Sequence, residues 1–264
     1  MNIALVFAGG VGKRLNRQEN SLPKQFLQIN GKPIIVHTLE IFQRHPAIDK
    51  IYISIHPSYL KYMNQLVSYY HLTKTAGIVK GGKTGQDSIY NALKLAAKEN
   101  PATSLVLVHD GVRPNITSKV IDDNLVQATK YGNAITCTAC QETVLVSKNY
   151  PHPSLVPPRR ETFLAQAPQT FRLKELLNAH EKMRKTNPDY TDIVDSFSLF
   201  NALGKKTYLV EGNRGNIKIT TVEDLYLLRA MLRLQEDILA FSGGKANKVS
   251  LGQTPSIDLS VKLS

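Results

Sequence analysis

An α/β fold with a mainly parallel sheet is what this sequence predicts. Short apolar runs of strand character alternate with longer stretches of helical periodicity from Ile3 to Ala139. The runs are apolar throughout, as suits strands covered on both faces. Two of them lead directly into glycine pairs, Gly9-Gly10 and Gly81-Gly82, a common way to turn from a strand toward a helix.

In chain order, residues 3–7 read as the first strand, 33–42 as a helix, 51–55 as a strand and 59–70 as a helix. Ile78-Val79 reads as a short strand entering Gly81-Gly82, followed by a helix over 87–97 and a strand over 105–108. Residues 118–130 form the next helical pattern and 134–139 the next strand. The rhythm breaks after Thr143. Prolines at 151, 153, 157 and 158, with Pro168 further on, exclude a central strand or a helix over 147–160. That stretch is expected to leave the main sheet as an arm, about 140–166. A helix over 173–183, a strand over 206–210 and a helix from 221 to about 235 complete the domain, 1–235. Residues 236–264 are expected as a C-terminal extension, with 242–264, rich in Gly, Ser and Lys, forming a mobile tail.

Composition narrows the function classes. No apolar run is long enough for a membrane span, and the first residues read as a strand with no leader features, so a cytoplasmic protein is expected. The 33 Lys and Arg exceed the 21 Asp and Glu by 12. These cations are scattered, without interleaved aromatics or a nucleic-acid-binding signature, so polyphosphate ligands explain the charge better than nucleic acid. Cys137 and Cys140 lie three apart on a strand and face opposite ways, with no second pair or His cluster nearby; they read as ordinary reduced thiols.

Several segments carry phosphate chemistry. Ala8-Gly9-Gly10-Val11-Gly12-Lys13-Arg14 follows strand one. Its glycines permit close backbone approach to a phosphate, and Arg14 offers a planar cation. The loop is neither a Walker A nor a Gly-x-Gly-x-x-Gly motif, and alone it is compatible with a plain strand-to-helix turn. Pro23 stiffens the chain before Lys24, which alone could equally be a solvated lysine. Asp110 at a strand end could be a turn residue, and Thr143 a strand residue. His109 has no partner that suggests a triad and reads as a packed histidine.

Taken together, the loop 8–14, Pro23-Lys24-Gln25, Gly31-Lys32-Pro33, Gly81-Gly82, His109-Asp110-Gly111-Val112-Arg113-Pro114, Ala167-Pro168-Gln169 and Asn216-Ile217-Lys218-Ile219-Thr220 occur in order. This resembles the family of methylerythritol-phosphate and ribitol-5-phosphate cytidylyltransferases, over about residues 1–235. The resemblance implies a Rossmann-like nucleotidyltransferase fold with a protruding arm that builds a homodimer. It implies CTP and a polyol phosphate as substrates, with Mg2+ as cofactor. Arg14 and Lys24 would hold the triphosphate. Phe7, Ala8, Gly9, Gly10 and Gly12, with Gly81, Gly82, Gln86, Asp87 and Ser88, would enclose CTP. Asp110 would contact the metal or the acceptor, and Arg113 would help to order that loop and the acceptor site. Thr143, Arg159 and Lys218 would hold the acceptor phosphate; Arg14, Lys24, Arg159 and Lys218 form the expected catalytic set. Asp195 would be structural or support the site.

This sequence departs from the family pattern at Lys83, where an acidic residue is frequent, and at Ala167, where a Thr is typical. The segments 83–88 and 109–114 look more like members that make CDP-ribitol for surface glycans. Methylerythritol phosphate is the alternative acceptor. From another class, a nucleotide-binding module without catalysis would be expected to lose Arg14, Lys24, Arg159 and Lys218, which are all present.

Overall fold

The structure, a computed structural model, describes residues 1–9 and 22–241. Gly10, Gly12, Arg14 and the tail 242–264 lie outside the described residues.

A seven-stranded sheet forms the centre. Its strands are β1 (Asn2–Ala8), β4 (Lys50–Ile55), β5 (Thr75–Lys80), β6 (Leu105–Asp110), β7 (Asn133–Ala139), β8 (Phe163–Arg172) and β9 (Leu209–Glu211), in the order β5-β4-β1-β6-β8-β7-β9. A small hairpin, β2 (Gln28–Ile29) and β3 (Lys32–Pro33), stands apart. The helices are α1 (Ile34–Arg44), α2 (Leu60–Tyr69), α3 (Gly85–Glu99), α4 (Ser118–Tyr131), α5 (Leu173–Thr186), α6 (Ser196–Ala202) and α7 (Val222–Phe241).

The apolar strands are buried on both faces, as their composition requires. On β1, Ala4 and Val6 enter the layer built with α1, α2 and α4, while Ile3 and Leu5 enter the layer built with α3, α5 and α6. Local signals set the helix ends. Thr84 and Asp87 form a capping box on α3. Thr117 caps α4, which ends on Gly132 at φ 87°.

β1 pairs in parallel with both β4 and β6. The chain builds outward from β1 to β4 and β5 on one side, then resumes at β6 on the other. In such sheets the ligand crevice lies beyond the carboxyl ends of the strands where the order reverses. Here those ends are Ala8 and Asp110.

Three differences from the sequence reading have physical causes. β8 is antiparallel to both β6 and β7, and its alternation is masked by Gln166, Gln169, Thr170 and an internal Pro168. The proline is tolerated because its pairing with β6 has ended at Gln169 and the β7 register shifts between Ile135 and Cys137. Thr136 Oγ1 then donates to the Pro168 carbonyl at 2.6 Å. The short helix α6 was likewise unforeseen; Asp195 caps it through a capping box with Ser198, a structural role. Finally, α7 runs to Phe241, so the domain boundary expected at 235 falls inside a helix.

The proline-rich stretch does leave the sheet. It is a loose hairpin with isolated bridges Val146–Leu155 and Asn149–His152. Leu145, Leu155 and Val156 are exposed on it, and Tyr150 is 94% exposed. Cys137 and Cys140 are free and buried.

Candidate active site

A cleft of about 200 Å3 opens at the carboxyl ends of β1 and β6. One wall is Phe7, Ala8 and Gly9 at the end of β1. A second is Gly82, Lys83, Thr84, Gly85 and Ser88 at the start of α3. Lys24 and Gln25 form a third, and Asp110, Val112 and Lys218 close the floor.

Each wall is placed by contacts legible in its residue types. Pro23 precedes a single 3-10 turn, Lys24–Phe26. Phe26 anchors this turn in the core against Tyr59 and Tyr62, at ring distances of 5.1 and 5.0 Å. The buried Gln25 donates Nε2 to the Ala8 carbonyl at 2.9 Å. Lys24 is thereby held beside the end of β1. At the second wall, Ser88 Oγ accepts from Gly82 N at 3.1 Å and donates to the Thr84 carbonyl at 2.9 Å. Gly9 packs so closely here that a Cβ on it would sit 2.7 Å from Ser88 Oγ.

The floor is an ion cluster. Asp110 Oδ2 accepts from Arg113 Nε at 2.8 Å, and Oδ1 accepts from Lys218 Nζ at 2.6 Å. Burial alone would raise the Asp110 pKa. The charges and hydrogen bonds of Lys218 and Arg113 outweigh it and hold the carboxyl at about 2. Arg113 Nη1 also donates to the Asn216 carbonyl at 2.8 Å, and Ile219 N donates to the Val112 carbonyl at 2.9 Å. The segments 110–113 and 216–219 are therefore fastened together, and Lys218 is delivered to the cleft. His109 is fully buried, with Nε2 3.1 Å from the Arg113 carbonyl. Burial pushes its pKa down to about 4, so it is a neutral packing residue and not a proton carrier at neutral pH.

The structure thus gathers Phe7, Ala8, Gly9, Lys24, Gly82, Ser88, Asp110 and Lys218, with Gly81 and Arg113 directly behind them. Among the described residues, the others of the expected set do not line the cleft. Gln86 is buried in the first turn of α3, and Asp87 spends its carboxylate on the Thr84 cap and on Arg184. Neither side chain lines the cleft. Arg159 and Thr143 are brought together, Nη2 donating to Oγ1 at 3.2 Å, but both are exposed on the arm and do not line this cleft. Gln169 is also structural: it donates Nε2 to Asp195 and accepts from Phe197 N, both at 2.8 Å. Gln25 is a wall residue that the sequence reading missed; its signal is its place between Lys24 and an anchoring aromatic.

The arrangement suits an anionic ligand: among the described residues, the cleft offers backbone groups at two strand ends, three lysines and one carboxylate. The sequence model of the 2-C-methyl-D-erythritol 4-phosphate cytidylyltransferase (IspD) family matches residues 2–234. The chain belongs to this family. It is therefore a CTP-dependent cytidylyltransferase that joins CTP to a sugar or polyol phosphate. A ribitol-5-phosphate cytidylyltransferase of Streptococcus agalactiae serotype III is 40% identical over 237 residues, 90% of this chain and 98% of that protein. A 2-C-methyl-D-erythritol 4-phosphate cytidylyltransferase of Clostridium botulinum (strain Okra / Type B1) is 38% identical over 226 residues, 86% and 95% of the two chains. Among solved structures, the 4-diphosphocytidyl-2C-methyl-D-erythritol synthase of Anaerococcus prevotii superposes with a TM-score of 0.74 at 26% identity, covering 88% of this chain and 96% of that one. The Rossmann-like cytidylyltransferase fold expected from the sequence is the fold observed. Among the described residues, no helix is long and apolar enough to cross a membrane.

Proposed function

We propose that this cytidylyltransferase joins CTP and D-ribitol 5-phosphate to give CDP-ribitol and pyrophosphate, in the cytoplasm, as a step toward a surface glycan. The observation that carries the acceptor choice is the 40% identity, over nearly the whole of both chains, to a relative named for ribitol 5-phosphate. The residue patterns at 83–88 and 109–114 point the same way. Methylerythritol phosphate is the second reading, supported by the 38% identical relative of that name and by the matching family model.

The chemistry needs positioning and positive charge more than a base. The acceptor phosphate is ionised at neutral pH, and in-line attack on the α-phosphorus brings two anions together. Phe7, Ala8 and Gly9 at one wall and the 81–85 loop at the other are assigned to cytosine and ribose through their backbone groups. Lys24, with Arg14, is assigned to the triphosphate, where it offsets charge that grows as pyrophosphate departs. Lys218 is assigned to the acceptor phosphate, and its tether to Asp110 sets where that phosphate docks.

Mg2+ is the cofactor assigned to the site. No group of three metal-ligating side chains exists among the described residues. One cleft carboxylate, Asp110, fits a cation that takes few protein ligands and fills its shell with phosphate oxygens and water. The ion would neutralise phosphate charge and polarise the reacting phosphate. Asp110 Oδ1, shared with the half-exposed Lys218, is the oxygen assigned to hold it. Incubation with CTP, Mg2+ and each acceptor, followed by pyrophosphate release, tests the assignment; no release with either acceptor would refute it.

The arm is assigned to a two-fold homodimer. Its Leu145, Tyr150, Leu155 and Val156 are apolar side chains left exposed among the described residues, and Arg159 and Thr143 sit on the same arm, outside the cleft of their own chain. If they hold the acceptor phosphate, they do so from a neighbouring copy. Sedimentation at micromolar concentration is expected to show two chains, and Leu155→Glu to weaken both assembly and turnover. A fully active monomer would contradict this.

A further inference from the structure

Asp87 lies between the cleft loop and helix α5. One carboxylate oxygen, Oδ2, accepts from Thr84 N at 3.2 Å and Thr84 Oγ1 at 3.1 Å. The other, Oδ1, accepts from Arg184 Nη1 of α5 at 2.5 Å. Gly82 packs directly against the same side chain; a Cβ at position 82 would collide with Asp87. Thus Arg184 grips the residue on which the cleft loop rests.

Arg184 is itself fixed. Its guanidinium lies 4.8 Å from the ring centre of Tyr90 on α3 and 5.7 Å from that of Tyr190. The Tyr190 hydroxyl is 2.8 Å from Nδ1 of the buried His180. An ordinary surface ion pair contributes little, because two mobile side chains must be ordered in water. Here the Asp87 side chain is 17% exposed and the cation lies against two aromatic rings, so most of that ordering is already in place.

We propose that Arg184, which touches no part of the cleft, is a positioning residue for the nucleotide: through Asp87 it fixes the glycine-rich 81–85 loop in its CTP-binding shape. The inference rests on the reading that this loop holds CTP. Gly81, Gly82 and Gly85 give the loop wide conformational freedom, which would have to be lost when the nucleotide binds. A loop held beforehand binds with less of that cost.

The test measures CTP affinity by calorimetry, together with KM for CTP, KM for the acceptor and kcat, in Arg184→Ala, Arg184→Lys and Gly82→Ala. Arg184→Ala is expected to weaken CTP binding about tenfold, as for coupled neighbours in one network. Its kcat at saturating CTP and its acceptor KM should stay within about twofold of the parent. Arg184→Lys, which keeps the charge, should recover part of the affinity and provides the measurement if the alanine variant does not fold. Gly82→Ala should weaken CTP binding through the loop itself. Parent-like CTP affinity in both Arg184 variants, beside a weakened Gly82→Ala, would overturn the brace. Parent-like affinity in all three would overturn the placement of CTP on this loop, and the brace with it. A fall in kcat with unchanged CTP affinity would mark Arg184 as merely structural and also overturn the proposal.

Discussion

Replacing Lys24 by Ala is expected to lower kcat by about two orders of magnitude while the protein stays folded. The 3-10 turn that carries Lys24 is anchored by Phe26 in the core and by the bond from Gln25 to the Ala8 carbonyl, and neither uses the lysine side chain. The substitution therefore removes a cation without moving its support. That cation is assigned to charge that develops on the triphosphate as pyrophosphate leaves. Loss of one such preorganised stabiliser costs about 10²-fold in kcat. Steady-state kinetics with saturating CTP reads this directly. A rise in KM for CTP with kcat unchanged would show instead that Lys24 binds ground state and transition state equally. Near-normal turnover would remove Lys24 from the mechanism.

Asp110→Asn is expected to have the second large effect, on stability and activity together. The carboxylate is nearly buried between Arg113 and Lys218, and the amide that replaces it keeps the shape but not the charge. Both cations then lose their partner, and the fastening of 110–113 to 216–219 loosens. Lys218 is no longer aimed, so kcat/KM should fall about 10²-fold, the scale of a misplaced reacting group. The sign of the pH effect follows from the depressed pKa. Asp110 titrates at about 2 in the folded protein, against 3.8 for an ordinary aspartate. Its contribution is fully present above the unfolded value and is lost as pH falls from 3.8 toward 2. It amounts to on the order of 2 kcal/mol at neutral pH. Thermal melts of the two proteins should therefore differ most near neutrality and converge in acid. A constant gap across the whole acid range would contradict the ionised, doubly paired Asp110.

Much of this layout was legible because it rests on local chemistry. The apolar run of β1, the glycine turn after it and the Pro-Lys-Gln-Phe turn each predict their own geometry from neighbouring residues. The ordered motifs then predicted that Lys24, Asp110 and Lys218 share one site, although Asp110 and Lys218 lie 108 positions apart. What stayed hidden depends on partners distant in sequence or on patterns that are hard to see. β8 was invisible because its polar residues and Pro168 imitate a loop, while β6 and β7 on either side make it a central strand. Asp87 belongs to the expected CTP-binding set, although Thr84-x-x-Asp87 also spells a capping box; its pairing with Arg184, far along the chain, has no local signature. Arg159 and Thr143 meet each other on the arm, and that neither lines the cleft is a property of the arm and not of their spacing.

Ribitol 5-phosphate is the acceptor proposed for this cytidylyltransferase. Lys218 can grip the phosphate of any polyol phosphate, so the groups facing the carbon chain must discriminate. Sites built to hydrogen-bond hydroxyls reject analogues lacking them more strongly than apolar pockets reject an added methyl. The direct measurement is a competition: equal concentrations of ribitol 5-phosphate and methylerythritol phosphate, with limiting CTP and Mg2+, and the two CDP products quantified by mass spectrometry. Their initial ratio equals the ratio of kcat/KM. CDP-ribitol in at least about tenfold excess is the expected result. An excess of the methylerythritol product would contradict the acceptor assignment and leave cytidylyl transfer in place.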